Sequence, residues 1–193
     1  MKASRGAPKS ISRWLAAAIF SSLLAACGGG GGDAPSAPSG NSGGEASVPG
    51  ANVLAMRVDA GTDGSSFNAP FVTLTICQPG TAVCEEIDHV LVDTGSSGLR
   101  ISASALPSSL RQALPAVTVD GGAGAGQGGH FASGFSWGSV RQADVRMGGE
   151  TAAALSIQVV NDPEAPFASI PAECNGTGGN IGPGRGANGI LGG

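Results

Sequence analysis

Asp93 is the side chain best placed for acid–base chemistry in this sequence, because it directly follows a run of apolar residues. That run, residues 87–92, ends in Val-Leu-Val, which is typical of a buried strand. Thr94, Gly95 and Ser96 come next, and the glycine permits a backbone turn that would strain other residues. The hydroxyl of Ser96 can hydrogen-bond the outer carboxylate oxygen. The pattern therefore predicts a carboxylate at the end of a buried strand, at the start of a tight polar loop.

Short strands and turns are expected to position this loop, because the chain has 34 Gly, 12 Pro and few charged residues. Alternating and β-branched runs predict strands at residues 71–76, 87–92, 116–119, 152–160 and two within 131–147, around a turn near 134–138. Between them the sequence predicts a short helix over 106–114, a glycine-rich loop over 121–129 and irregular structure over 163–185. The predicted fold class is all-β.

The first 26 residues have the parts of a secretory signal, with a basic start at 1–13 and an apolar stretch at 14–26. The segment ends in Leu-Ala-Ala-Cys at Cys27. This ending resembles the bacterial lipobox, in which the cysteine thiol receives diacylglycerol and becomes the new N-terminus. The apolar stretch is too short to span about 30 Å of hydrocarbon. We therefore expect a lipid anchor at Cys27 that holds the protein to a membrane.

A linker of small residues follows the anchor, since residues 27–50 are almost entirely Gly, Ala, Ser, Pro and Asp. Such a linker is flexible and typically separates its ends by about 5–6 Å × √n. The folded domain is accordingly expected over residues 51–193. Gly28 stands where Asp is the inner-membrane retention signal in the best-studied bacteria, so the expected location is the cell envelope, at the outer membrane.

Export also determines what the cysteines are expected to do, because thiols tend to pair outside the cytoplasm. Cys77 and Cys84 bracket a turn-rich stretch between two strand-like runs, so a disulfide across the base of that hairpin is expected. Cys174 is left without a partner, which suggests that its partner is missing from this sequence.

The segment His-Val-Leu-Val-Asp-Thr-Gly-Ser-Ser-Gly-Leu at 89–99 resembles the catalytic loop of pepsin-type aspartic proteases. Residues 131–138 and 144–149 resemble the flap of that family, and Ala-Asn-Gly-Ile-Leu-Gly at 187–192 resembles the segment that threads behind the catalytic loop. The resemblance covers about residues 67–193. It implies a β-barrel that is the N-terminal lobe of an acid protease, incomplete at its C-terminus.

This resemblance implies catalytic roles for four residues: Asp93, Thr94, Gly95 and Ser96. In the family two such aspartates lie about 3 Å apart and share one proton, so that one is the base and the other the acid for a bound water. Thr94 corresponds to the residue that bonds across to the other lobe. The sequence holds no second Asp-Thr/Ser-Gly. We therefore expect a second lobe from missing sequence, and expect the 193 residues alone to be inactive and poorly stable.

The same resemblance assigns the flap and substrate cleft to Phe131, Ser133, Gly134 and Arg100. The family's flap tyrosine falls on Phe131, and the tryptophan that accepts its hydrogen bond falls on Arg100; the chain has no tyrosine. The family's tyrosine and tryptophan, which form one hydrogen bond with each other, are thus both replaced in this sequence. The clamping of a polypeptide substrate is expected to differ from the family, while the central carboxylate is retained.

Three functions remain open at this point. The first is an endopeptidase that uses Asp93 with a second aspartate from a missing lobe, and the second is a non-catalytic envelope lipoprotein that uses the fold for binding or scaffolding. The third is a pair of copies that each contribute one Asp93. The runs Asp-Thr-Gly-Ser-Ser-Gly-Leu-Arg and Ala-Asn-Gly-Ile-Leu-Gly also resemble a chiefly proteobacterial lipoprotein family, and because no activity is established for that family, this resemblance weakens the case for the endopeptidase.

Charge and spacing argue against other partners. After the signal the chain has six arginines, no lysine and 14 acidic residues, a net charge of −8, whereas binding to nucleic acid needs a basic face. Neither His89 nor His130 has a second ligand at metal spacing, so no metal is expected. The glycines of 124–129 are not followed by a helix, and no cofactor is expected.

Overall fold

The computed structural model describes residues 52–132, 134–180 and 186–193. The predicted signal segment 1–26, the lipidation site Cys27, the linker 27–50 and the flap residue Ser133 lie outside these described residues. No described helix has the length and apolar character needed to cross a bilayer.

The described chain consists mainly of β-strands. The strands are β1 (Arg57–Asp59), β2 (Ala69–Cys77), β3 (Cys84–Asp93), β4 (Gly98–Ser102), β5 (Gly126–Phe131), β6 (Gly134–Met147), β7 (Glu150–Val160), β8 (Gly179–Asn180) and β9 (Gly189–Gly192). One short helix, α1 (Ser108–Ala113), and two 3₁₀ turns, Ala103–Ala105 and Ala172–Cys174, complete the regular structure among the described residues.

Six of these strands close into a mixed barrel in the order β2-β3-β9-β4-β7-β6, because β6 pairs back onto β2. Strand β9 runs parallel to β3 and antiparallel to β4, and β4 runs parallel to β7. Strands β1, β5 and β8 extend this sheet outside the closed ring. The prediction of an all-β fold with a β-barrel is therefore confirmed.

The barrel interior is filled by aliphatic side chains, which the alternation of each strand directs inward. Burying each such side chain contributes about 1.5–3 kcal/mol. Leu191 of β9 packs against this core from a partly buried position. Each of the other barrel strands contributes two or three buried residues: Val72, Leu74, Ile76, Ile87, Val90, Leu99, Ile101, Ala143, Val145, Ile157 and Val159.

The expected loop over 121–129 is partly wrong, because residues from Gly126 onward form strand β5 and pair with β6. Strand β5 ends at Phe131 and β6 begins at Gly134, so the expected turn near 134–138 is wrong, and β6 runs for 14 residues. A Cβ at Gly126 would lie 2.5 Å from the ring of Trp137. The glycine is thus required by close packing under an indole ring, which local sequence pattern does not reveal.

Two features tie the turns of the barrel together. Cys77 and Cys84 form the expected disulfide, whereas Cys174 is a free, half-buried thiol. The carboxylate of Asp144 accepts hydrogen bonds from the backbone N–H of Ala154 at 2.8 Å and of Gly80 at 2.9 Å. These bonds, the one from Ala154 first, hold the pKa of Asp144 below its usual range.

A buried ion-pair network fixes the chain that follows β7. Asp162 is 1% exposed, and its Oδ2 lies 3.2 Å from Nη2 of Arg141, which also lies 3.0 Å from Oε2 of Glu164. Ser139 donates a hydrogen bond to Asp162, and Arg111 from α1 lies 3.8 Å from its other oxygen. Two arginines thus balance two carboxylates, as buried charges require.

Candidate active site

Asp93 is the last residue of β3, and its half-buried carboxylate lies at the start of the turn that leads to β4. Its Oδ1 accepts a hydrogen bond of 2.9 Å from the N–H of Gly95, so the side chain closes its own turn. The described residues provide no second donor to this carboxylate, so Oδ2 accepts no hydrogen bond from them. One oxygen orients the group while the other can meet a water or a substrate.

Strand β9 lies directly behind this turn, between the strands on either side of it. In the parallel register Asp93 faces Gly192, and in the antiparallel register Gly98 faces the same glycine. A Cβ at Gly192 would lie 2.5 Å from the Cα of Ser97. The structure therefore places the Gly-Ile-Leu-Gly segment behind the loop, and its terminal glycines allow the backbones to come so close.

Asn188 anchors the start of β9 to a distortion in β3. Its backbone N–H donates to the carbonyl of His89 at 2.9 Å, and its Nδ2 donates to Oδ1 of Asp88 at 2.8 Å. His89 adopts a positive φ of 49°, which turns its carbonyl away from a regular ladder. These residues were not predicted to support the site, although the Asn before Gly-Ile-Leu-Gly was the available signal.

The two residues that depart from the protease pattern contact each other. The guanidinium carbon of Arg100 lies 5.2 Å from the ring centroid of Phe131, at the tip of the β5–β6 hairpin. Gly134, which pairs with Phe131, is buried on the far side of the turn. A cation–π contact therefore stands where the resemblance implies a tyrosine–tryptophan hydrogen bond. It joins the hairpin to β4, next to the Asp93 loop.

Arg100 is a half-buried cation with incomplete hydrogen bonding. Its Nη1 donates to the carbonyl of Ser97 at 2.8 Å, but its Nε is buried without an acceptor among the described residues. Burial lowers the pKa of Arg100, and the attraction of Asp93 partly offsets this shift. The two charges thus act on each other across the site without a direct ion pair within the described contacts.

Ser96 does not make the expected hydrogen bond to Asp93. Its Oγ is buried and has no partner among the described residues, and Oδ1 of Asp93 accepts from the N–H of Gly95. Thr94 is exposed, so its side chain is free to meet another lobe, and its role stays a prediction. Across the described chain, no group of three or more His, Cys, Asp and Glu side chains could hold a metal ion.

A small cavity opens beside the loop, between β4 and the β5–β6 hairpin. Its volume is about 270 Å³. The residues that line it include Ser97, Arg100, Gln127, Val140, Ser156 and Gln158. Gln158 is almost fully buried and holds its amide in place by donating to the carbonyl of Gln127 at 2.7 Å. The cavity therefore combines polar and apolar lining and lies next to the aspartate turn.

Fold and site together define a class of protein: an all-β chain built on a closed six-stranded barrel, with an aspartate on a turn that is closed from behind by a threaded strand. A family profile matches residues 49–193, about three-quarters of the chain, and is described as "Protein of unknown function (DUF3443)". The chain belongs to this family. No curated protein matches it significantly. The family description names neither an activity nor a location.

Proposed function

We propose that this protein is an exported, lipid-anchored member of the cell envelope whose barrel forms one lobe of an aspartic endopeptidase. In this proposal Asp93 is the catalytic carboxylate of the lobe, and Thr94, Gly95 and Ser96 shape the turn that carries it. The β5–β6 hairpin covers an extended polypeptide substrate in the cleft.

One observation carries the proposal. A carboxylate on a backbone turn lies beside a hairpin whose tip residue, Phe131, reaches the strand that follows the turn, at Arg100. A polypeptide that entered between turn and hairpin would meet the free oxygen of Asp93 on one side and the hairpin on the other. The turn joins two strands that pair with β9, and the hairpin includes β6 of the barrel, so paired strands rather than loops hold both sides of the proposed cleft.

The chemistry requires a second carboxylate. One carboxylate takes a proton from water as the water attacks the peptide carbonyl, and a second, protonated carboxyl group donates to the carbonyl oxygen. No described hydrogen bond joins Asp93 to another carboxyl group. We therefore assign the second aspartate to another lobe, supplied by sequence outside these 193 residues or by a second copy of the chain.

Peptide cleavage tests this function. The complete reading frame and the 193-residue chain are each assayed from acid to neutral pH against a mixture of fluorogenic peptides. Asp93→Asn is expected to abolish cleavage, whereas Asp120→Asn, a change in an exposed turn, leaves it unchanged. Cleavage by the chain alone that rises with the square of its concentration indicates paired copies. Cleavage that persists in Asp93→Asn removes the mechanism.

Membrane attachment through Cys27 is the second part of the proposal. It is supported by the basic start, the apolar stretch and Leu-Ala-Ala-Cys, and by the small-residue linker that follows. Each buried acyl CH₂ contributes about 0.8 kcal/mol, so several chains hold a protein to a bilayer durably. The acidic body adds no attraction to anionic lipid, and the anchor must therefore supply the binding.

A non-catalytic binding or scaffold role in the envelope is the alternative, and one observation favours it. Ser96 Oγ makes no bond to Asp93, so the turn lacks a polar support that a catalytic carboxylate would use. This role predicts peptide binding without cleavage by the complete reading frame, and binding that survives Asp93→Asn.

A further inference from the structure

The cavity beside the Asp93 turn has no role in the proposed chemistry, and polar side chains contribute to its lining. Among the described residues that line it, Arg100 is the one that carries a charge, and Gln127, Ser156 and Gln158 add polar groups. Its volume of about 270 Å³ lies just below the range typical of drug-sized ligands. A single amino-acid side chain is a ligand of suitable size.

Arg100 is available to an anion in a way that most of the described arginines are not. Three of the five described arginines, Arg57, Arg111 and Arg141, lie within 4.0 Å of a carboxylate. Arg100 and the exposed Arg146 have no such partner among the described residues. Of these two, Arg100 alone lines the cavity. The cavity thus holds a positive charge that the described protein does not pair directly.

The geometry of Arg100 leaves room for a carboxylate. The guanidinium carbon of Arg100 lies over the ring of Phe131, 5.2 Å from its centroid, and the carbonyl of Ser97 accepts one N–H of Nη1. A guanidinium has five N–H donors and binds carboxylates through pairs of them, so the bond to Ser97 leaves donors for a ligand. Phe131 therefore orients the cation and leaves terminal N–H groups for a ligand.

We propose that this cavity is a subsite for an acidic side chain, Asp or Glu, of a polypeptide bound between the Asp93 turn and the β5–β6 hairpin. The inference rests on the proposed peptide-binding cleft and names its substrate class. The charge of Asp93 and the acidic body oppose an anion at longer range. Exposed charges are screened over about 8 Å at physiological ionic strength, so direct contact with Arg100 decides the preference.

Binding in a chain that cannot cleave tests the subsite separately from catalysis. Octapeptides of Ala and Val that carry Glu at one position, or Gln at the same position, are titrated onto the full chain with Asp93→Asn. At one position the Glu peptide is expected to bind at least 10-fold more tightly than its Gln partner, equal to about 1.4 kcal/mol. Arg100→Gln removes this preference, and Arg146→Gln, which removes the same charge elsewhere, keeps it.

Arg100→Lys provides the check if Arg100→Gln unfolds. It retains the charge without the planar edge, and a preference of reduced size is expected. Equal binding of Glu and Gln peptides at every position, or no binding at all, overturns the subsite, as does a preference that survives Arg100→Gln in a folded protein. A Glu preference in a protein whose complete reading frame never cleaves retains the subsite and removes the peptidase. Asp93-dependent cleavage without that preference does the reverse.

Discussion

Substituting Gly189 by alanine tests whether the threaded strand β9 holds the aspartate turn in place. Gly189 is buried, and an added Cβ would lie 2.5 Å from the carbonyl oxygen of Arg100 and 2.9 Å from Cδ1 of Ile101. The isoleucine tip can rotate away, but the carbonyl belongs to β4, which pairs with β9. Normal contact distances start near 3.4 Å, so β4 and β9 must separate by most of an ångström.

The size of the effect follows from what that separation costs. Overpacking of this kind typically costs about 1–3 kcal/mol, and each weakened backbone hydrogen bond adds about 0.5–1.5 kcal/mol. Replacing Gly by Ala returns about 0.4–1 kcal/mol through the unfolded chain. The net loss of unfolding free energy is therefore about 2–3 kcal/mol. At roughly 3–4 °C per kcal/mol for a domain of this size, Tm falls by about 6–12 °C.

Thermal unfolding followed by circular dichroism measures this shift, and Gly179→Ala is the matched control. Gly179 is also a strand glycine, but a Cβ there meets nothing within 4 Å. Its substitution is expected to leave Tm unchanged or to raise it by a few degrees, through the unfolded chain alone. If Gly189→Ala melts together with the control, β9 is not held rigidly behind the turn and the reasoning is refuted.

Three further changes test separate parts of the molecule. Asp144→Asn is expected to lower Tm at neutral pH and to have no effect in acid. Hydrogen bonds to the carboxylate, the one from Ala154 first, lower the pKa of Asp144 in the folded state. The stability that the ionised carboxylate contributes is therefore present above the usual carboxyl pKa and is lost as the pH falls through the folded-state pKa. Asp162→Asn removes the buried charge that faces Arg141 and leaves Glu164 to pair with the arginines, and it is expected to cost about 3–5 kcal/mol in urea unfolding, against almost nothing for exposed Asp120→Asn. Cys27→Ser is expected to abolish labelling by radioactive palmitate and to move the protein from the membrane to the soluble fraction; an unchanged distribution contradicts the lipid anchor.

The local sequence pattern was sufficient to predict an element where one face of a strand is buried in the core and turns bound it at both ends. The apolar runs before Cys77 and Asp93, and the helix after Pro107, lie where the sequence predicts them, because their partners all sit in one core. The disulfide was predictable since a hairpin brings together two cysteines that are seven positions apart. In these segments propensity, hydrophobic alternation and tertiary packing agree.

Prediction failed where a residue's role depends on a distant partner. Strand β5 is rich in glycine and resembles a loop, and only the ring of Trp137 above Gly126 makes the glycine a packing requirement. The local sequence gives Asp162 no partner, but Arg141 of β6, 21 residues away, makes it a buried ion-pair partner. Such contacts between residues distant in sequence cannot be predicted until the strand order is known.

Because of this strand order, strand β9 contributes both to the stability of the barrel and to the geometry of the site. Strand β9 supplies the bonds that join β3 to β4, and these two strands carry Asp93 and Arg100 respectively. The spacing of the carboxylate and the guanidinium is therefore set by a strand that touches no ligand. Because Phe131 reaches Arg100 from the hairpin, the cover of the cleft is positioned through the same strand. Under the proposed function, a change that displaces β9 is then expected to weaken peptide binding even when every residue proposed to face the peptide is intact, and the same peptide titration measures this effect.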